Sequence, residues 1–175
     1  QGIGHVGESL VEHLTNEGAK VVISDINHER LDQVSTKYGA SIYTGTDIYS
    51  EKMDIYAPCA LGATINDDTV FNMKAKVIAG AANNQLATEE RHGVLLRERG
   101  IVYAPDFLIN AGGIINVYAE LEGYDKQEIM RKTENIYNTT LEILETANRE
   151  VLTTNRAALN IAKQRIEDRK KVNFK

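Results

Sequence analysis

The feature that most constrains the fold is a glycine pattern followed at once by an amphipathic helix and then by an apolar run. Gly2, Gly4 and Gly7 form the pattern G-I-G-H-V-G. Over residues 5–18 the apolar side chains recur on one helical face, namely at Val6, Leu10, Val11 and Leu14. Residues 20–25 then read KVVISD, and their continuous apolar run predicts a strand buried on both faces, as in a parallel sheet.

The same alternation continues along the first hundred residues. A helix is predicted over 28–38, with Leu31 and Val34 facing inward and Gly39 ending it. Further strands are predicted at 40–43, 53–57, 76–79 and 101–104, and further helices at about 67–73 and 88–99. Alternating strands and helices predict an α/β fold with a Rossmann-like, doubly wound and mostly parallel sheet. Because the chain opens inside the glycine turn, we expect the first strand of that sheet to lie ahead of Gln1.

The last third of the chain changes character and is predicted to be almost entirely helical from about residue 113. Within 125–150 one apolar stripe recurs at three- or four-residue steps, formed by Ile129, Thr133, Ile136, Thr140, Leu144 and Ala147. A break is predicted near 152–156 before a last helix. We therefore predict two domains, residues 1–120 with the sheet and residues 121–175 with the C-terminal helices.

Composition excludes several classes of function. The formal net charge of −5 argues against a nucleic-acid binder. No apolar run approaches the roughly 18 residues that a membrane span needs. The single cysteine suits a reducing compartment, so a cytoplasmic location is expected. No His, Cys, Asp and Glu residues have metal-ligand spacing, so no metal site is predicted.

The glycine pattern has a specific chemical use. Gly2 permits a tight turn, Gly4 lets the backbone approach a pyrophosphate, and Gly7 lets the helix pack close to the strand. The helix N-terminus behind them offers free N–H groups and a positive dipole end to phosphate. His5 and Val6 lie in the same turn and are expected to border the ligand.

Asp25 strengthens that interpretation because it ends the strand that follows the first helix. A carboxylate at this point can accept hydrogen bonds from the adenosine ribose, and it would repel a 2′-phosphate. The pattern therefore favours NAD over NADP, with Ile26 beside the ribose. The alternative is that Asp25 only caps a helix or a turn.

Three later loops follow strands, and ligands of open α/β sheets bind at the carboxyl ends of strands. They are APCALGATIND at 57–67, GAANNQL at 80–86 and YAPDFLINAGGIINVYAE at 103–120. Adjacent asparagine amides in the second loop can contact a ribose or a carboxylate, although they can also serve only as turn or cap residues. The Gly-Gly pair of the third loop suits a nicotinamide ring against bare backbone, or a simple flexible loop.

The other reactive side chains are interpreted as structural or surface residues rather than as catalytic ones. Cys59 has no basic partner nearby in sequence and is predicted to be a small, buried or half-buried thiol rather than a nucleophile. Asp106 is interpreted as a turn or capping residue. His5 and His92 are both predicted to be surface residues, His92 because its helix is polar.

These motifs, in this order after a GxGxxG turn, resemble the cofactor domain of the Glu/Leu/Phe/Val amino-acid dehydrogenases. The resemblance extends from Gly2 to about Lys175 and is strongest over 57–120. Within the family, the phrases DIYAPCALG, ANNQL and INAGGIINV are most similar to the leucine dehydrogenase branch. Alternatives are a phenylalanine, valine or glutamate enzyme of the same family, a different nicotinamide enzyme, or a nucleotide-sensing domain without chemistry.

The resemblance implies a reversible NAD-dependent deamination of a branched-chain L-amino acid to a 2-oxo acid and ammonia. It implies that Gly2, Gly4 and Gly7 bind the pyrophosphate and Asp25 the ribose. It further places the following residues at the site: Cys59 and Ala60 on the adenine-ribose side, Asn84 near the nicotinamide ribose and the substrate carboxylate, Asn110 near the nicotinamide, and Ile114 and Val117 in the substrate side-chain pocket.

The catalytic residues implied by the resemblance do not fall in this sequence. The family's two catalytic lysines and its catalytic aspartate belong to a preceding domain, toward which the helices of 121–175 are expected to pack. We therefore expect this chain by itself to bind NAD weakly and to be inactive. The full-length protein is expected to be a homo-oligomer.

Overall fold

The computed structural model of the chain describes residues 1–123 and 125–173. Its strands are short and all of their pairings are parallel, as predicted. They are β1 (Val22–Ile23), β2 (Ser41–Ile42), β3 (Ile55–Tyr56), β4 (Val77–Ile78) and β5 (Val102–Tyr103). β1 pairs with β2 in one sheet, and a second sheet has the order β3-β4-β5.

The helices connect these strands and then form the C-terminal part of the chain. They are α1 (His5–Asn16), α2 (His28–Tyr38), α3 (Glu89–Glu98), α4 (Asp106–Ile109), α5 (Gly112–Glu122), α6 (Lys126–Glu134), α7 (Ile136–Glu150) and α8 (Thr154–Asn173). A 3₁₀ turn spans Ile48–Ser50. The α/β class predicted from the sequence is confirmed, and so is the helical character of the last third.

The first two residues lie between the two sheets and hydrogen-bond to both. The N–H of Gly2 donates to the Ser24 carbonyl at 2.7 Å, just beyond β1. On the other side, the nitrogen of Gln1 donates to the Ala57 carbonyl at 3.0 Å, and the N–H of Cys59 donates to the Gln1 carbonyl at 2.7 Å. The two sheets are therefore joined at the start of the glycine turn.

Each sheet has its own hydrophobic core, and a third core lies among the helices. The first contains Ile3, Val11, Ile23, Leu31, Val34 and Ala40. The second contains Tyr56, Ile65, Val70, Met73, Ala75, Ile78, Leu86, Leu96, Ile101 and Tyr103. The third contains Ile143, Ala147, Ala157 and Ala158, where α7 packs on α8. Leu31 and Val34 face inward, as the helical pattern predicted.

One prediction about burial near the start of the chain was wrong. Val22 is 55% exposed, so β1 is buried on one face only. Val6 is 61% exposed because it lies in the first turn of α1, beyond the edge of the core that Val11 reaches. The apolar periodicity correctly identified the helix and its inward face. It does not show that the first turn of the helix, which contains Val6, extends beyond the hydrophobic core.

The helix predicted at about 67–73 is a series of turns. The Asn66 side chain accepts hydrogen bonds from the N–H groups of Asp68 at 3.0 Å and Thr69 at 3.1 Å. These are the bonds by which an asparagine caps a helix N-terminus, but the turns that follow do not continue as a regular helix. Val70 and Met73 are nevertheless buried, so the apolar pattern predicted the burial correctly and the conformation wrongly.

The predicted stripe over 125–150 is divided between two helices. α6 ends at Glu134 and α7 begins at Ile136, so the stripe does not remain on one face. Of its members only Ala147 is fully buried, and Ile143 and Thr146 are buried instead. The predicted break before the last helix is present, since α7 ends at Glu150 and α8 begins at Thr154. Across the described ranges 1–123 and 125–173, no helix is long and apolar enough to cross a membrane.

Candidate functional site

The glycine turn is tightly packed on the loop that follows β3. Gly2 has a φ of +85°, and a Cβ there would lie 2.6 Å from the backbone nitrogen of Ala60. A Cβ at Gly7 would overlap the carbonyl oxygen of Gly2. No side chain larger than hydrogen fits at either position without moving the backbone, so both glycines are required by close approach.

Gly4 differs from the other two because it faces open space. A Cβ at Gly4 would meet no atom within 4 Å. Gly4 is the N-cap of α1 and provides no side-chain cap, and His5 and Val6 begin the helix as exposed residues. The first N–H groups of a helix have no acceptor within it, and they carry the positive end of its dipole. This open helix end is suited to an anion.

The Asp25 carboxylate lies directly against this turn. Its Oδ2 accepts a hydrogen bond from the N–H of Ile3 at 2.8 Å, and its Oδ1 accepts one from the N–H of Asn27 at 2.9 Å. Burial acts to raise the pKa of Asp25, but the backbone hydrogen bonds from Ile3, Asn27 and Ile26, together with a nearby positive charge, hold the pKa below its ordinary value. The carboxylate is therefore ionised at neutral pH. Ile26, the next residue, is almost completely exposed.

The loops after β3 and β4 are bonded to each other and to the turn. The N–H of Ala63 donates to the Asn84 carbonyl at 2.7 Å, and the N–H of Ala82 donates to the Pro58 carbonyl at 2.9 Å. The Cys59 thiol is free and half-buried behind the turn, as predicted, and Ala60 is exposed. The glycine turn, the loop after β3 and the loop after β4 thus form one continuous edge.

The loop after β5 joins that edge through an asparagine pair. The Asn110 Nδ2 donates a 2.6 Å hydrogen bond to the Oδ1 of Asn83. Asn84 is exposed and has a φ of +52°, a left-handed conformation that asparagine tolerates better than most residues. The structure therefore brings Asn110 next to Asn83, whereas Asn84 makes its loop contact through its carbonyl. Asn83 was considered from the sequence only as one of two adjacent asparagines, and it was not assigned a site of its own.

Two buried residues behind this edge were also missed. Gln85 has no exposed surface, and Asp106 is 5% exposed. The N–H of Gln85 donates to Asp106 Oδ2 at 3.2 Å, and the N–H of Phe107 donates to Asp106 Oδ1 at 2.9 Å. Asp106 is the first residue of α4, whose N-cap is Pro105, so Asp106 is not the capping residue that the sequence suggested as one possibility. The sequence carries no signal for the burial of Gln85, because a glutamine that follows two asparagines is equally typical of an exposed turn.

The proposed side-chain pocket residues lie on one face of α5. Ile114 is 70% exposed and Val117 is 60% exposed, and Leu121 continues the same face one turn later. Gly112 and Gly113 begin α5 and do not form the flexible loop that the Gly-Gly pair also allowed. This face is apolar and open.

A polar cavity of about 240 Å³ lies beneath Asn84. It is lined by Asn84, Leu86, Ala87, Glu89, Tyr103, Asp106 and Asn155. Within the described part of the chain, the Tyr103 hydroxyl and the Asn155 amide have no hydrogen-bond partner although they are buried. Burial, together with the nearby Asp106 carboxylate, raises the pKa of Tyr103.

The histidines take different positions. His5 is exposed, as predicted, but the prediction that His92 lies at the surface was wrong. The His92 Nδ1 accepts a hydrogen bond from the N–H of Thr88 at 2.9 Å, and its Nε2 lies 3.3 Å from a carboxylate oxygen of Asp67. His92 therefore satisfies the first turn of α3, which explains its burial. Among residues 1–123 and 125–173, no three His, Cys, Asp or Glu residues are grouped as metal ligands.

Comparison with known proteins agrees with this architecture. The family model for glutamate/leucine/phenylalanine/valine dehydrogenase matches residues 23–173. A leucine dehydrogenase from Thermoactinomyces intermedius is 52% identical over 167 residues, which cover 95% of this chain and 45% of that protein. A phenylalanine dehydrogenase from Bacillus thermotolerans is 45% identical over 178 residues, covering 99% of this chain and 46% of that protein.

A solved structure gives the same relationship in three dimensions. The crystal structure of L-tryptophan dehydrogenase from Nostoc punctiforme superposes with a TM-score of 0.93 at 44% identity, over 96% of this chain and 51% of that one. The chain spans about half the length of the relatives it matches. Because the family model covers most of the sequence and these relatives match nearly all of it, the chain belongs to the glutamate/leucine/phenylalanine/valine dehydrogenase family.

Proposed function

We propose that this chain is the NAD-binding part of an amino-acid dehydrogenase. Residues 1–120 form its Rossmann-like domain, and the helices of residues 121–175 pack on that domain and toward a catalytic domain elsewhere in the full-length protein. The observation that carries the proposal is the Asp25 carboxylate held against a glycine turn whose helix end is open. Family membership supports a dehydrogenase, and the turn supports a dinucleotide.

The residues at the turn fit NAD without rearrangement. Gly4 leaves space where a pyrophosphate needs close approach to the backbone, and the first N–H groups of α1, at His5, Val6 and Gly7, are available to phosphate oxygens. Asp25 keeps lone pairs for the ribose hydroxyls while its other hydrogen bonds fix its orientation. Its negative charge disfavours the 2′-phosphate of NADP.

Other residues border the two ends of the cofactor. We assign Ile26, Cys59 and Ala60 to the adenine-ribose side, where Ala60 and Gly2 are in contact. Asn84 and Asn110 belong to the nicotinamide side, and Asn84 also faces the substrate carboxylate. The carboxamides can donate and accept, so they orient both groups. When bound, NAD accepts the hydride removed from the substrate.

The proposed reaction is the reversible oxidative deamination of a branched-chain amino acid, leucine above all, to its 2-oxo acid and ammonia. Ile114 and Val117 provide an open aliphatic surface for such a side chain. The 52% identity to a leucine dehydrogenase favours leucine, whereas relatives that act on phenylalanine and tryptophan at 45% and 44% identity keep an aromatic substrate as the second candidate. Tryptophan was not considered from the sequence.

The chemical step needs groups that we place outside this chain. The catalytic lysines and aspartate implied by the family resemblance would come from the preceding domain of the full-length protein. We propose that the full-length protein is a cytoplasmic homo-oligomer. The test is a steady-state assay of the full-length protein with NAD and L-leucine, L-valine, L-phenylalanine, L-tryptophan and L-glutamate. The highest kcat/KM is expected for leucine, and a preference for phenylalanine or tryptophan would favour the second candidate. Absence of turnover with all five would refute the proposal.

A further inference from the structure

The buried side chain of Gln85 closes the loop that carries the proposed nicotinamide-side asparagines. Its Nε2 donates to the Gly80 carbonyl at 2.6 Å and to the Ala82 carbonyl at 2.9 Å. Both acceptors belong to the same loop, so a single amide fixes the backbone on both sides of Ala81. An apolar residue at this position would leave two buried carbonyl groups without a donor.

Asp106, in the loop after β5, binds the backbone of Gln85. Its Oδ2 accepts the backbone N–H of Gln85, and its Oδ1 is held by the N–H of Phe107. The N–H of Phe107, at the start of α4, therefore orients the Asp106 carboxylate. Through its bond to Gln85, the carboxylate in turn orients the backbone of the loop after β4. Asn110, the C-cap residue that follows α4, bonds to Asn83. Both ends of α4 thus contact the loop that carries Asn84.

These hydrogen bonds restrict the backbone of Asn84, which directly precedes Gln85. Its carbonyl accepts the N–H of Ala63, and the following peptide N–H is bound to Asp106. Both bonds fix the one peptide group that joins Asn84 to Gln85, and Asn84 itself has a left-handed φ of +52° and an exposed side chain. A left-handed asparagine costs free energy unless the surrounding contacts over-determine it.

We infer that Gln85 and Asp106 are positioning residues that hold the Asn84 carboxamide in place at the nicotinamide side of the site. This inference rests on the proposed function, since it assigns the buried pair a role in the same reaction. Gln85 has no exposed surface, and the 5% exposed Asp106 lines the polar cavity beneath Asn84 rather than the outer surface of the loops. Their effect reaches the ligand only through Asn84.

The test is a double-mutant cycle in the full-length protein with Gln85→Met and Asn84→Gly. Glycine keeps the left-handed backbone and removes the carboxamide. Each single variant is expected to lower kcat/KM for L-leucine at least about tenfold, and the double variant should be no worse than Asn84→Gly alone. Affinity for ADP-ribose, which lacks the nicotinamide, should stay within about twofold of wild type in all three.

Controls separate positioning from a general loss of structure. Val70→Ala removes buried volume from the core of the second sheet, outside the site, and should lower the melting temperature without changing kcat/KM. Asp106→Asn gives a second variant should Gln85→Met fail to fold, and it should show the same non-additivity with Asn84→Gly.

Additive losses in the cycle, or a parallel loss of ADP-ribose affinity, would overturn the positioning inference while leaving the proposed function intact. A wild-type protein that neither binds ADP-ribose nor turns over amino acids overturns both.

Discussion

The backbone N–H of Ile3 donates a 2.8 Å hydrogen bond to the carboxylate of Asp25, and this bond links the glycine turn to the end of β1. The carboxylate is thereby fixed at the side of the turn, beside the open Gly4 and the start of α1. A single acid can then orient the turn and still present lone pairs outward. Asp25 consequently serves both the stability of the turn and the proposed choice of cofactor.

The first prediction concerns the pH dependence of stability. Because the folded-state pKa of Asp25 is lowered, its contribution to folding is fully present above the ordinary aspartate pKa of about 3.9. That contribution is lost as the pH falls from there through the lowered folded pKa, where the native state also becomes protonated. Melting temperatures of wild type and Asp25→Asn, measured from pH 2 to 7, should differ most above pH 4 and converge in acid. A constant difference across the range would contradict this account.

A second prediction concerns the end of α7. Val151 has a φ of +58°, a left-handed conformation that is unfavourable for a β-branched residue. Its side chain is largely exposed, so Val151→Gly loses little burial and should raise the free energy of unfolding by about 1 kcal/mol. Gly39, at the end of α2, offers the matched control, because a Cβ there meets open space and only its φ of +70° opposes substitution. Gly39→Ala should therefore destabilise by about 1 kcal/mol in the same urea titration.

The third prediction addresses the substrate side chain. If Ile114 and Val117 form the pocket wall, Val117→Ala in the full-length protein should enlarge it and raise the ratio of kcat/KM for phenylalanine to that for leucine by about tenfold. Leu121→Ala is the control, because it truncates the same face of α5 one turn beyond Val117. Equal changes in the ratio for both variants would remove Val117 from the pocket.

Local patterns predicted the parts of this fold that local interactions decide. The parallel strands, the helix over 28–38 and the cap at Gly39 follow from apolar periodicity and glycine chemistry, and the structure has all three. The helix expected at 67–73 is instead a series of turns, in which the Asn66 side chain accepts the N–H groups of Asp68 and Thr69. Apolar periodicity predicts which residues are buried, but a run this short does not decide between a helix and successive turns.

The remaining differences come from contacts distant in sequence. His92 is buried where Asp67 approaches its Nε2, and Gln85 is buried where its N–H donates to Asp106 from the loop after β5. Asp25 was found from its position after a strand, but its bond to Ile3 joins two segments that only the folded chain brings together. The predicted ligand contacts of Asn84, Asn110, Ile114 and Val117 stay predictions.

The central claim is that the glycine turn and Asp25 hold NAD, and a calorimetric titration of the full-length protein with NAD and NADP tests it most directly. Wild type should bind NAD at least about tenfold more tightly than NADP, and Asp25→Asn should reduce that preference mainly by weakening NAD. Asp54→Asn, which removes an exposed carboxylate paired with Lys76, should leave both affinities unchanged. Equal binding of the two cofactors by wild type, or an unchanged preference in Asp25→Asn, would contradict the account.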